Sequence, residues 1–107
     1  MSEKITNANF QTEVLDSKIP VIVDFYADWC GPCKMMDPVI HVLANEYNGR
    51  VKFSKCNIDE EMDLSDRFRI MSIPAFALFK DGHHLETIVG SQSRKYLAEK
   101  AEALIGE

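Results

Sequence analysis

The chain has 107 residues, and 12 Lys+Arg against 17 Asp+Glu leave a formal charge of −5. That length fits one domain over 1–107, and 46% apolar with 27% charged residues is a globular composition, not a disordered one. A net acidic chain without a basic cluster argues against nucleic acid, the longest apolar run (Ile73 to Phe79) is far short of the roughly 20 residues of a membrane span, and Met1 to Phe10 lacks the apolar stretch of a secretory signal, so a cytoplasmic protein away from membranes is expected.

Thr6 or Asn7 can cap a first helix, with Phe10 and Val14 four apart on one face. Pro20 closes it and opens Val21-Ile22-Val23-Asp24-Phe25-Tyr26, rich in β-branched and aromatic residues. Both faces of that run are apolar except at Asp24, which predicts a central strand covered on both sides. Beyond Cys30 and Cys33, Met36, Ile40, Leu43 and Tyr47 recur at helical spacing, with Pro38 predicting a kink and Asn48-Gly49 a stop. Val51 to Ile58 reads as another strand, and Leu64 with Phe68 as a short helix. Pro74 to Lys80 is a third strong strand, with proline at its start, where a missing donor is tolerated. Asp81-Gly82 predicts a hairpin into Leu85 to Val89. Leu97, Ala101 and Leu104 form the stripe of a last helix behind a Ser93 cap, and Lys4-Ile5 reads as a short edge strand. Strand–helix alternation, then an antiparallel hairpin and a final helix, predicts an α/β mixed sheet with helices on both faces.

Three cysteines cannot make a fully paired disulfide framework, and in a reducing cytosol two cysteines held close are catalytic or metal-binding rather than structural. Trp29-Cys30-Gly31-Pro32-Cys33-Lys34 sits where a buried strand turns into a helix. Two cysteines three apart in a first helical turn point to the same side, close enough for a small disulfide. Cys30 falls at the helix N-terminus, where free N–H groups and the macrodipole favour an anion. The thiolate is the reactive species, and only ~3% is present at pH 7 for an ordinary thiol near 8.5. Raising that to half takes about 2 kcal/mol, within reach of a helix terminus plus hydrogen bonds. Cys33, one turn inside, is shielded and suited to resolve a mixed disulfide, and Pro32 fits the first turn without losing a needed donor. A zinc site needs a second CxxC or a paired His-x₃₋₅-His; His41, His83, His84 and Cys56 supply neither, so no metal is expected. Haem attachment needs His directly after the second cysteine, where this chain has Lys34.

The six residues 29–34 resemble the active-site motif of the thioredoxin family. Val23-Asp24-Phe25-Tyr26-Ala27, Pro38, Ile73-Pro74, Phe79-Lys80-Asp81-Gly82 and Val89-Gly90 are likewise similar to residues of that family, so the likeness runs from Phe10 to the last helix. The resemblance implies a thioredoxin-like fold, a mixed sheet of four or five strands flanked by four helices. It implies protein disulfide reduction, with attack by Cys30 and resolution by Cys33. Electrons would come indirectly from NADPH through a flavin-containing thioredoxin reductase. The chain has no glycine-rich dinucleotide fingerprint and should bind no cofactor itself. The expected partners are that reductase and client proteins with disulfides, met by a monomer.

The resemblance also suggests roles residue by residue. Asp24 reads either as a strand-end carboxylate facing water or, by the likeness, as a buried acid beneath Cys33 that relays protons, with Lys55 its partner on the adjacent strand. Trp29 would pack on the site and offer an indole donor. Ile73-Pro74 resembles a cis-proline segment whose backbone takes a client peptide as an added strand, and Gly90 would let the client approach. Three positions depart from the family's usual pattern: Tyr26 stands for Trp, Ala75 for Thr, and Asp37 adds a negative charge beside Pro38. Cys56 alternates away from Lys55 and reads as a small buried hydrophobe; Met35, Met36, Met62 and Met71 read as packing residues. Two other classes stand beside the reductase: a thiol-independent binding module on the same scaffold, and a disulfide oxidase or isomerase. The latter usually has His between the cysteines, where this chain has Gly31-Pro32.

Overall fold

The computed structural model describes residues 3–106, so the ends of the expected 1–107 domain lie outside the described residues. Among the described residues five strands, β1 (Glu3–Lys4), β2 (Val21–Tyr26), β3 (Lys52–Asn57), β4 (Ala75–Lys80) and β5 (His83–Val89), form one sheet in the order β1-β3-β2-β4-β5. β2 is central, parallel to β3 and antiparallel to β4. Its alternation divides the core. Ile22 packs with Phe53, Phe76 and Leu78 against α1 (Gly31–Glu46) and α3 (Arg94–Gly106) on one face. Val21, Val23 and Phe25 pack with Phe10, Val14, Cys56 and Phe79 on the other, beneath α2 (Met62–Arg67). Covering both faces is what an apolar central strand requires.

The first helix departs from expectation. Thr6 and Asn9 bond reciprocally, the Thr6 N–H donating to Asn9 Oδ1 at 2.7 Å and the Asn9 N–H to Thr6 Oγ1 at 3.3 Å. The chain then makes a single wide π-helical turn, Gln11–Leu15, closed by Asp16 N–H to the Gln11 carbonyl at 2.8 Å. Five residues are too few for α-helical cooperativity, yet both Phe10 and Val14 reach the sheet. α1 runs on across Pro38 and ends at Tyr47, followed by Gly49 at φ +85°. β5 begins two residues before the expected Leu85. Asp81 and Gly82 both have positive φ (53° and 80°), a type I′ pair that sends the chain straight back along β4. Phe79 pairs with His84 but Leu78 with Glu86, which makes Leu85 the extra, exposed residue of a bulge. In α3 the Ser93 hydroxyl accepts from Tyr96 N–H at 3.1 Å, as a cap should.

Three of the four methionines expected to pack do not. Met36 lies on the inner face of α1, but Met35, Met62 and Met71 are exposed, Met71 to 91%. Adjacent positions on a helix point about 100° apart, so Met35 cannot share the burial of Met36. Cys56, by contrast, is fully buried opposite Phe25, and burial pushes its thiol up to about 12. Cys56→Ser places an unpartnered hydroxyl there and should cost ~1–2 kcal/mol, a fall in melting temperature of roughly 5–10 °C. Attack by the other two cysteines on a small aromatic disulfide should be unchanged; a slower reaction in a folded variant would contradict a purely packing role.

Candidate active site

β2 ends at Tyr26 and passes through buried Ala27 and an exposed Asp28-Trp29 turn into α1. Cys30, extended at φ −89° and ψ 108°, is the N-cap of that helix, and its Sγ accepts from the Cys33 N–H at 3.2 Å. The sulfur therefore occupies the place where Ser or Asp oxygen usually satisfies a free helical donor. Any negative charge gained there meets the positive end of the helix. Cys30 and Cys33 are joined as a disulfide, their Cα atoms 5.3 Å apart, and both are nearly buried beneath exposed Gly31 and Pro32.

Ile73 and Pro74, 40 residues along, come to the same place. Their peptide bond is cis, and the Ile73 carbonyl oxygen lies 3.9 Å from Cys30 Sγ. Ile73, Tyr26 and Ile58 pack around Ala27, Cys30 and Cys33 as an apolar collar. Gly90 donates its N–H to the Pro74 carbonyl at 2.8 Å with φ +97°, a conformation that itself calls for glycine. The space where its side chain would stand is open.

Trp29 is 70% exposed, and its indole Nε1–H donates to Asp59 Oδ2 at 2.8 Å rather than to a sulfur. Nothing in the sequence marks Asp59, which sits in an acidic stretch just past β3 where a partner and a solvated charge look alike.

Asp24 is 1% exposed, which eliminates the water-facing alternative. Neither of its oxygens has a hydrogen-bond partner among the described residues. Desolvation pushes its carboxyl up to about 7; Asp37 adds to the rise and Lys55 opposes it. Lys55 stands beside Asp24 on the adjacent strand as expected and acts on its charge, but makes no hydrogen bond to it. The two residues are register partners on β2 and β3, but the Lys55 Nζ donates to Asp37 Oδ1 at 3.1 Å and lies 4.5 Å over the Tyr26 ring. A half-exposed carboxylate on α1 is a cheaper partner for an ammonium than a carboxyl sealed in the core, because less hydration is lost. A cleft of about 270 Å³, lined by Tyr26, Asp28, Cys33, Lys34, Asp37 and Lys55 among others, opens on this face of the sheet.

Comparison with known proteins points to one family. The thioredoxin family model matches residues 1–103. A thioredoxin of Rickettsia felis is 43% identical over 99 residues, covering 92% of this chain and 94% of its own. Thioredoxin 1 of Synechococcus elongatus is 46% identical over 94 residues, 88% of each chain. A thioredoxin of Pseudomonas aeruginosa is 44% identical over 108 residues, covering 98% of this chain and all of its own.

Proposed function

The chain belongs to the thioredoxin family, a thiol–disulfide oxidoreductase working through Cys30 and Cys33, and from that premise we propose how its residues divide the work of reducing client proteins. The Cys30 thiolate attacks one client sulfur. The client S–S bond breaks, a Cys30–client bond forms, and the departing sulfur leaves as thiolate and is protonated by water. Cys33 then passes its proton to Asp24 while its sulfur attacks Cys30 Sγ. The Cys30–client bond breaks and the second client sulfur leaves. Two electrons have moved to the client, and the protein is left with its Cys30–Cys33 disulfide.

The observation that carries this reading is the Cys33 N–H aimed at Cys30 Sγ from the first turn of α1, which favours the thiolate form. Asp24 is supported as base by its burial and raised proton affinity. Lys55 contributes a nearby positive charge. Half-buried Ile73 beside buried Pro74, with exposed Trp29, Gly31 and Pro32 and half-buried Gly90, would form the surface that receives a client strand. Thioredoxin reductase, drawing on NADPH, restores the dithiol, in the cytoplasm. Among the described residues no helix is long and apolar enough to cross a membrane.

The test is NADPH-coupled reduction of insulin disulfides with a panel of thioredoxin reductases. Sustained NADPH oxidation with at least one of them, abolished in Cys30→Ser, is expected. Turnover with glutathione alone and with no reductase would reassign the electron source.

A further inference from the structure

Lys55 has two carboxylates within its reach, and the structure gives it to the outer one. Asp24 and Lys55 face each other across β2 and β3 on the sheet face covered by α1, the face that also carries Ile22 and Phe53. An unpartnered carboxyl beside a lysine would ordinarily draw that ammonium in. Here Asp37, on α1, holds it at 3.1 Å, and the Tyr26 ring beneath the ammonium closes a third side. Both oxygens of Asp24 are left without a hydrogen-bond partner among the described residues. We propose that Asp37 is a positioning residue that keeps the Lys55 ammonium at the mouth of the cleft, off the Asp24 carboxyl, and so preserves that carboxyl as the acceptor for the Cys33 proton. This rests on the role of Asp24 proposed above.

The physical reason is that a cation in contact with a carboxylate stabilises its ionised form and weakens it as a base. Paired with Lys55, Asp24 would be ionised well below neutrality and would take a thiol proton reluctantly. Held apart from it, Asp24 keeps the proton affinity that its desolvation confers. The other ionisable groups around the cleft are Tyr26 from β2, Asp28 from the following turn, and Cys33 and Lys34 from α1. β4 presents the apolar Phe76 opposite Asp24. Asp37 and Lys55 are the two charges that act on Asp24, and they act in opposite senses.

The experiment is a pH profile of mixed-disulfide release, by rapid quench, for the wild type, Asp37→Ala, Asp24→Asn, Lys55→Met and the double variants. A carbon-13 titration of the Asp24 carboxyl on the same proteins reads its proton affinity directly and does not depend on turnover. The wild-type carboxyl should titrate near 7. Asp37→Ala should lower that midpoint by about 1 pH unit, and the release profile should follow it. The displacement should vanish from the release profile of Asp37→Ala/Asp24→Asn and shrink in the titration of Asp37→Ala/Lys55→Met. An unmoved midpoint in Asp37→Ala overturns the proposal while leaving Asp24 as the base. An equally large displacement with Lys55→Met present assigns the effect to the charge of Asp37 itself and overturns the restraint of the lysine. A release profile that Asp24→Asn does not alter removes the base, and the proposal with it.

Discussion

Replacing Cys33 with serine turns the protein into a trap for its clients. Attack by Cys30 needs only the thiolate at the start of α1, and the Cys33 N–H that points to its sulfur is backbone, which serine retains. The mixed disulfide therefore forms. Release requires a second sulfur, and a serine hydroxyl, far harder to ionise than a thiol, cannot displace the client. Steady-state turnover should fall by on the order of 10³-fold, the scale on which removal of a nucleophile acts. Covalent complexes should accumulate on non-reducing gels and disappear with excess dithiothreitol. Cys30→Ser should give neither turnover nor complexes; equal trapping by the two variants would reverse the assignments.

Asp24→Asn should raise stability and slow release at once. The Asp24 carboxyl lies at about 7 in the fold against an ordinary 3.8, because burial penalises its charged form before any other influence. Between those two values the folded state holds a proton that the unfolded state has lost, so stability falls as pH rises and is flat above about 7. An amide carries no such penalty. The variant should gain nothing near pH 4 and ~2–4 kcal/mol above neutrality, a rise in melting temperature of roughly 10–20 °C. Cys33 meanwhile loses its proton acceptor, and release should slow about 10²-fold near pH 7, recovering as hydroxide takes over. Equal melting temperatures and equal release rates across pH 6 to 9 (a roughly physiological bracket of thiol titration) would leave Asp24 a spectator.

Central placement of Val21–Tyr26, the hairpin at Asp81-Gly82 and the Cys30/Cys33 pair at a strand–helix junction were legible because each rests on a local pattern of a few residues. Cys56 was legible too, since alternation along one strand assigns it a face. The ion pair between Lys55 and Asp37 was not. Its members lie 18 residues apart, and their meeting depends on how α1 is rotated over β3. Asp24 shows the same boundary from the other side: its burial follows from its neighbours, but the absence of a partner depends on where a lysine on the next strand chooses to go. Trp29 and Asp59 meet across 30 residues of chain, beyond any periodicity. The exposed methionines escape such patterns because apolar character alone does not carry the angle at which each residue leaves its helix or loop.

The disulfide spans a separation of only three residues, and that shortness decides what happens to the rest of the molecule when it opens. Chain-entropy reasoning gives so small a ring ~2 kcal/mol, well under half of what a bridge across a hundred residues would supply. The two packed faces of the sheet hold the architecture without it. Opening so short a bridge should therefore leave the sheet and the helices that cover it in place. A longer bridge would tie every redox cycle to a partial loosening of the fold, and the protein would wear with use.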